Sequence, residues 1–243
     1  MQKILIIGSG DVARRILPYL AGRYRVFALL RNAARAKDWR AAGVQPLIAD
    51  LDNRQSLNRI AGLADVVLHL APPPNQGRVD LRTRHLLAAL GKGKSLPRRL
   101  IYVSTTGVYG DCAGAVIDET RRLNAESPRA GRRIDAEQTL RAWGLRNGVT
   151  VSILRAPGIY AADRLPLERL EKGLPALQAA DDVFTNHIHA EDLAAACVDL
   201  GVPVLSAGQV HRQHRHPQVH AGGGERGHGF RQAGPRAQTQ DRK

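Results

Sequence analysis

Residues Ile4 to Ala13, ILIIGSGDVA, set an apolar, strand-forming run directly before Gly8-Ser9-Gly10 and then open a helix expected over Asp11 to Leu20. Few folds accept that succession. Gly8 permits a tight turn, Gly10 lets the backbone come close to a pyrophosphate, and the small Ala13 lets the helix pack on its strand. The first helical N–H groups are then aimed at an anion, so Gly8, Ser9, Gly10, Asp11 and Val12 are the expected contacts of a dinucleotide. Glycine pairs close many turns; the signal here is the strand before them and the amphipathic helix after.

The same punctuation recurs along the chain. KILIIG is followed by RVFALL (25–30), VQPLIA (44–49), DVVLHLA (65–71), RLIYVS (99–104) and TVSILR (150–155). These near-continuous apolar runs belong to strands covered on both faces, and the helical patterns between them (11–21, 33–42, 53–61, 79–91, 128–147) fit right-handed parallel crossovers. The expected fold is α/β, a Rossmann-type doubly wound parallel sheet. Ligands of such sheets sit beyond the carboxyl ends of the strands, which directs attention to Gly8–Gly10, Arg31, Asp50, Ala71–Pro74, Ser104–Gly110 and Arg155–Tyr160.

At 243 residues the chain can hold one large domain with a small appendage. Aromatic residues are few, at 4%, so aliphatic packing must dominate the core. Cys112 and Cys197 are the only cysteines, which excludes a disulfide framework or a four-thiolate zinc site and suits a reducing compartment. The N-terminal apolar run is too short for a signal sequence or a membrane span; a cytoplasmic protein without a membrane partner is expected. The net charge is +14, of which residues 201–243 supply +5 from seven Lys/Arg and two Asp/Glu. With few aromatics interleaved as stacking platforms, the remainder reads as a solvated basic face that attracts an anionic cofactor rather than as a nucleic-acid surface.

About twenty residues past the glycines, an NAD-preferring site usually places Asp or Glu against the ribose 2′-hydroxyl. This chain has Arg31, with Asn32 and Arg35 beside it. They offer charge and donors for a 2′-phosphate, so NADP is expected, with NAD still open; the alternative is a solvated arginine at a helix entrance. Asp50, followed by Leu51, either caps the next helix or meets the adenine. Ala71 leads into Pro72-Pro73-Pro74, a stiff turn without N–H donors, either a wall beside the cofactor or simply a rigid loop.

In order, IIGSGDVA, IADLDN, DVVLHLAPPP, IYVSTTGVYGD, ILRAPGIYAADR and NHIHAEDLAAA resemble the extended short-chain dehydrogenase/reductase superfamily, in particular its NAD-dependent epimerase/dehydratase-like members, over about residues 3 to 199. The resemblance implies NAD(P) in the first domain and a substrate, often a nucleotide-linked sugar, under a small C-terminal domain. The chemistry of that family rests on a Tyr-x-x-x-Lys pair and a nearby Ser or Thr. Carried onto this chain, the hydroxyl role falls on Thr105, with Ser104 and Thr106 as neighbours. The segment matching the pair is RAGRRIDAEQTL; Glu137 matches the glutamate that often follows the lysine, which puts Arg133 at the lysine position and Arg129 at the tyrosine position. Arginine stays protonated and cannot act as the acid/base, though Arg133 can still bond a ribose or phosphate. Tyr109 and Tyr160 are alternative phenols, and His187 and His189 alternative imidazoles; Tyr109 more often shapes the V-Y-G turn in the family. Asp192 is expected to orient its loop or cap the helix it begins.

After Leu200 apolar periodicity ends: five of the nine histidines and eight of the 24 glycines fall in residues 201–243. The expected organisation is an NAD(P)-binding domain over 1–200 and a basic low-complexity tail over 201–243, with the family's substrate region truncated or altered. The tail is either disordered or read in a shifted frame; HRQHRHPQVH is a weak metal signal, and no metal site is expected elsewhere. Two functions stand side by side. One is an NAD(P)-binding oxidoreductase or epimerase-like protein acting on a small or sugar-like substrate through Thr105, Tyr109 and Arg133. The other is a dinucleotide-binding sensor or interaction protein without catalysis. Oligomeric state is left open.

Overall fold

The computed structural model describes residues 1–165, 167–173 and 185–202. Six parallel strands, β1 (Lys3–Ile7), β2 (Arg25–Leu30), β3 (Gln45–Ile48), β4 (Val66–His69), β5 (Arg99–Thr105) and β6 (Thr150–Ala156), form one sheet in the order β3-β2-β1-β4-β5-β6. This is the Rossmann order, with the switch of direction between β1 and β4. Register is pinned by burial on both faces. Ile4 and Ile6 of β1 enter one layer with Ile16 of helix α1 (Asp11–Leu20) and Trp39 of helix α2 (Ala36–Ala41). Leu5 and Ile7 enter the other with Leu86 of helix α3 (Leu81–Leu90) and Leu140 of helix α4 (Pro128–Asn147). A one-residue slip would exchange the two layers, and alternation is invisible in the sequence because both faces are dry.

Two expected helices take a tighter form. Residues 53–61 make a 3-10 helix, Arg54–Ile60, rather than an α-helix. Its start is held by competing local bonds: Asn53 Oδ1 accepts from the Gln55 N–H, and the Ser56 hydroxyl reaches the Asn53 and Asp50 carbonyls. The 33–42 helix is a 3-10 turn, Ala33–Arg35, running into α2. A short parallel pair, β7 (Gly158–Tyr160) with β8 (His187–His189), was not expected; three-residue strands carry no readable period. Helix α5 spans Leu167–Glu171. Helix α6 (Ala190–Gly201) follows β8 and lies on the α1 layer, burying Leu193, Ala194 and Cys197; a Cβ at Gly201 would meet Ile101 and Leu68 at 3.2 Å. The expected tail lies, beyond Val202, outside the described residues.

Candidate functional site: a dinucleotide cradle and its strand-end neighbours

Gly8 follows β1 with φ of +99°, and a Cβ on it would stand 2.5 Å from the backbone nitrogen of Ala71. The fold itself demands this glycine, because the end of β1 is pressed against the chain leaving β4. Gly10 differs. Its φ of −88° suits any residue, and a Cβ there meets nothing within 4 Å. Protein packing therefore gives no reason for the missing side chain, but a ligand would: the open space fronts the N-terminus of α1, whose cap makes no side-chain hydrogen bond. The residues present fit a pyrophosphate. Ala13 is buried, letting α1 sit close on the sheet, and Val12 packs beside it. The Asp11 carboxylate accepts from Arg15 Nε at 3.0 Å, and Arg15 also bonds Glu191 of α6 and Asp163, each at 2.7 Å. The Asp11 side chain thus joins a tie between α1 and the C-terminal elements.

Arg31 directly follows β2, is exposed, and forms no hydrogen bond or ion pair among the described residues. Asn32, expected to share its role, instead caps the following turn, its Oδ1 accepting from the Ala34 N–H. Asp50 does not cap the helix after it; that cap is Asn53. Asp50 Oδ1 accepts from the Asp52 N–H at 3.0 Å and so shapes the loop itself. Leu51 buries its side chain in the core, and its carbonyl accepts from His85 Nδ1 at 2.7 Å. Arg82 bridges the loops after β3 and β4: it bonds both carboxylate oxygens of Asp52, at 2.8 and 2.6 Å, and the Pro72 carbonyl at 3.2 Å. The Arg82 bonds, followed by the charge of Arg31, hold the Asp52 carboxyl below the usual range. Ala71 is buried against Gly8, and the proline turn stands beside the cradle.

The other half of the site lies at β5 and β6. Thr105 Oγ1 accepts from the Gly107 N–H at 3.2 Å, opening the 3-10 turn Thr106–Tyr109 and leaving its own proton to donate. Ser104 is buried with no partner for its hydroxyl, and Thr106 is half-buried. Tyr109 is buried; its phenol oxygen accepts from Arg155 Nη1 at 2.7 Å, and the Arg155 guanidinium lies 5.0 Å from its ring centre. Arg155 is fixed by Glu137 of α4, which is 1% exposed and accepts from Nε and Nη2. Arg129, in the first turn of α4, is exposed. Arg133 is buried and turned into the sheet, its Nη1 donating to the Tyr102 hydroxyl (2.9 Å) and the Val103 carbonyl (2.7 Å).

Sequence reasoning missed a buried chain between these parts. His69 Nε2 lies 2.9 Å from Thr83 Oγ1, which donates to Asp80 Oδ2 at 2.8 Å; Thr83 therefore accepts from the imidazole. Burial drives the His69 pKa down to about 3, with the charge of Arg133 adding, so the ring is neutral, and its Nδ1 has no partner. Desolvation pushes the Asp80 carboxyl up. A histidine inside the apolar run DVVLHLA was the readable signal. At the remaining strand end, Tyr160 is exposed and its ring stands edge-on to His189 and His187, at 5.2 and 6.3 Å. His189, not Asp192, caps α6: its Nδ1 accepts from the Glu191 N–H. Among the described residues no group of three or more His, Cys, Asp and Glu could hold a metal, and no helix is long and apolar enough to cross a membrane.

A family of NAD(P)H-binding proteins matches residues 8–201. A 4-hydroxy-2-methyl-3-oxo-4-farnesyl-3,4-dihydroquinoline-1-oxide ketoreductase of Stigmatella aurantiaca is 30% identical over 177 residues, 67% of this chain; the chain spans about half, 52%, of that curated relative. A Methylobacillus flagellatus protein assigned to the NAD-dependent epimerases/dehydratases superposes with TM-score 0.59 at 27% identity, covering 80% of this chain and 67% of its own. A Thermus thermophilus UDP-glucose 4-epimerase in complex with NAD shares the fold, with TM-score 0.66 at 23% identity over 82% and 74% of the two chains. With the cradle, the strand order and the strand-end motifs in place, the chain belongs to the NAD(P)H-binding family, within the extended short-chain dehydrogenase/reductase superfamily.

Proposed function

We propose that the protein is an NADP-preferring oxidoreductase that reduces a carbonyl group on a small or sugar-like substrate. The observation that carries this reading is Gly10, whose missing side chain leaves open a space at the α1 N-terminus that no protein atom needs. The backbone from Gly8 to Val12 would hold the pyrophosphate, Arg31 the 2′-phosphate, and the segments at Asp50–Leu51 and Ala71 the flanks of the adenosine. A nicotinamide bound there supplies a hydride. Thr105 keeps a hydroxyl proton for the substrate oxygen. Tyr109 accepts from Arg155, so its own phenol proton is the one available to a carbonyl that becomes an alcohol. Relatives support the class: one is named a ketoreductase, and structural neighbours include sugar-nucleotide epimerases.

A non-catalytic dinucleotide sensor is the second reading, favoured by Arg129 and Arg133 at the positions of the family's acid/base pair. The two part on one experiment. NADPH fluorescence titration should saturate below millimolar cofactor, and NADPH should then be consumed with a panel of ketones, aldehydes and keto sugars, more slowly in Thr105→Ala and Tyr109→Phe. Saturable binding with no turnover on any carbonyl supports the sensor; no saturable binding removes both. Of the tail expected over 201–243, Gly201 closes α6 and Val202 packs in the core, so we propose that a tail separate from the folded domain begins only beyond Val202, and sequencing the gene through codon 200 decides whether its frame is the native one.

A further inference from the structure

Helix α4 carries a charge that the protein leaves unmatched. Arg132 and Arg133 are 6% and 7% exposed, and neither meets a carboxylate at ion-pair distance among the described residues. Arg132 donates one bond, Nη1 to the Gly77 carbonyl at 2.9 Å, and Arg133 only those from Nη1 to Tyr102 and Val103. The Nε of each is buried without a partner. The carboxylates nearby are engaged elsewhere. Glu137 is taken by Arg155, and Asp135 by Arg84 and the Asp80 N–H. Asp80 is spent on Thr83, and it feels Arg133 only at a distance. A buried guanidinium without a counter-charge is strongly unfavourable unless something else supplies one.

Their placement says what that is. Arg132 reaches the loop after β4 and Arg133 the end of β5, so the pair stands at the carboxyl edge of the sheet, where the substrate of the proposed reaction would lie. Each Nη2 is without a hydrogen bond but is not among the buried unpartnered atoms, so it still touches solvent. Beside Arg133, at the same strand end, the buried Ser104 hydroxyl also lacks a partner. We infer that Arg132 and Arg133, with Ser104, form an oxyanion-binding pocket, and that the substrate carries a carboxylate or phosphate close to its reacting carbonyl. This rests on the carbonyl-reductase reading above. The two guanidinium forks would bind such a group with charge-assisted bonds and neutralise the surplus. Arg133, at the family's lysine position, would then be a recognition residue.

Calorimetric titration of the full chain with malonate, inorganic phosphate and the neutral malonamide tests this, with NADPH binding measured in parallel. Expected is saturable 1:1 binding of malonate, phosphate or both, none of malonamide, and weakening by at least about tenfold in Arg133→Gln and in Arg132→Gln. Arg133→Lys should recover part of the loss. Malonate alone marks a carboxylate substrate, and phosphate alone a phosphorylated one. Should Arg133→Gln fail to fold through loss of its bonds to β5, Arg132→Gln gives the reading, since it gives up one bond to an exposed loop. Wild-type affinity in Arg132→Gln, or no saturable anion binding, overturns the inference. NADPH binding without anion binding removes this inference alone; anion binding without NADPH binding removes the reductase reading alone.

Discussion

Arg155 holds Tyr109 from two directions, with Nη1 2.7 Å from the phenol oxygen and the guanidinium 5.0 Å from the ring centre. The arginine is itself clamped by the buried Glu137, so β6, α4 and the turn after β5 are joined through one side chain. The clamp separates structure from chemistry. Glu137→Gln removes the counter-charge from a half-buried guanidinium and should cost about 1.5–3 kcal/mol. Tyr109→Phe removes one hydrogen bond and keeps the ring stacking, costing about 1 kcal/mol. Urea unfolding of the two variants checks both figures. A Tyr109→Phe protein of near-native stability that turns over NADPH normally would strip the phenol of its proposed role.

Gly8 and Gly10 should respond oppositely to alanine. At Gly8 the new Cβ collides with the Ala71 backbone at 2.5 Å in a backbone conformation that disfavours it, so Gly8→Ala should lose about 3 kcal/mol or more of stability. At Gly10 the Cβ meets no protein atom, and Gly10→Ala should fold with a change within about 1 kcal/mol. Its methyl group instead occupies the space proposed for the pyrophosphate, and NADPH affinity should fall by more than about tenfold, a loss exceeding about 1.4 kcal/mol. Chemical denaturation and cofactor titration on the two proteins separate a glycine kept for the fold from one kept for a ligand.

Arg31 is the position where cofactor choice should be adjustable. It is exposed just after β2 and makes no hydrogen bond or ion pair among the described residues, so replacing it removes only its longer-range pull on Asp52. Arg31→Asp removes the cation proposed for the 2′-phosphate and offers a carboxylate to a ribose hydroxyl. NADPH should bind at least about tenfold more weakly while NADH binds equally or better, since a hydrogen bond between charged partners is worth about 1.5–3 kcal/mol. Equal loss for both dinucleotides would place Arg31 outside the specificity site.

The sheet and the cradle were legible because their signals are local. A strand buried on both faces reads as an unbroken apolar run, and β2 was expected at its observed limits, Arg25–Leu30. Helix α4 likewise opens on Ser127 and Pro128 and closes on Gly148, whose φ is +65°, all visible as punctuation. The candidate catalytic residues were not legible in the same way. Arg129 and Arg133 could be aligned as substitutes for an acid/base pair, but whether a guanidinium faces solvent or β5 depends on tertiary packing. Glu137 was read as an alignment marker, while its contact with Arg155 joins residues 18 apart on different elements. Asp50 and Asn53 are both good caps by composition, and only the loop geometry assigns the helix start to Asn53.

His69 should give the molecule an acid sensitivity that can be isolated. Its ring donates to Thr83, is fully buried, and has its pKa pushed down to about 3 from an ordinary 6.5, first by burial and then by the charge of Arg133. Below pH 6.5 the unfolded chain takes up a proton at this residue that the folded chain refuses. The stability the neutral ring contributes is therefore full above about pH 6.5 and declines, by up to about 1.4 kcal/mol per pH unit, as pH falls toward 3. His69→Gln keeps a donor for Thr83 and does not titrate. Between pH 7.5 and pH 5 the native protein should lose roughly 2 kcal/mol more than His69→Gln, read from urea midpoints at the two values. Parallel losses in the two proteins would mean that the folded state accommodates a protonated ring, and the buried Asp80–Thr83–His69 chain would then have to carry charge.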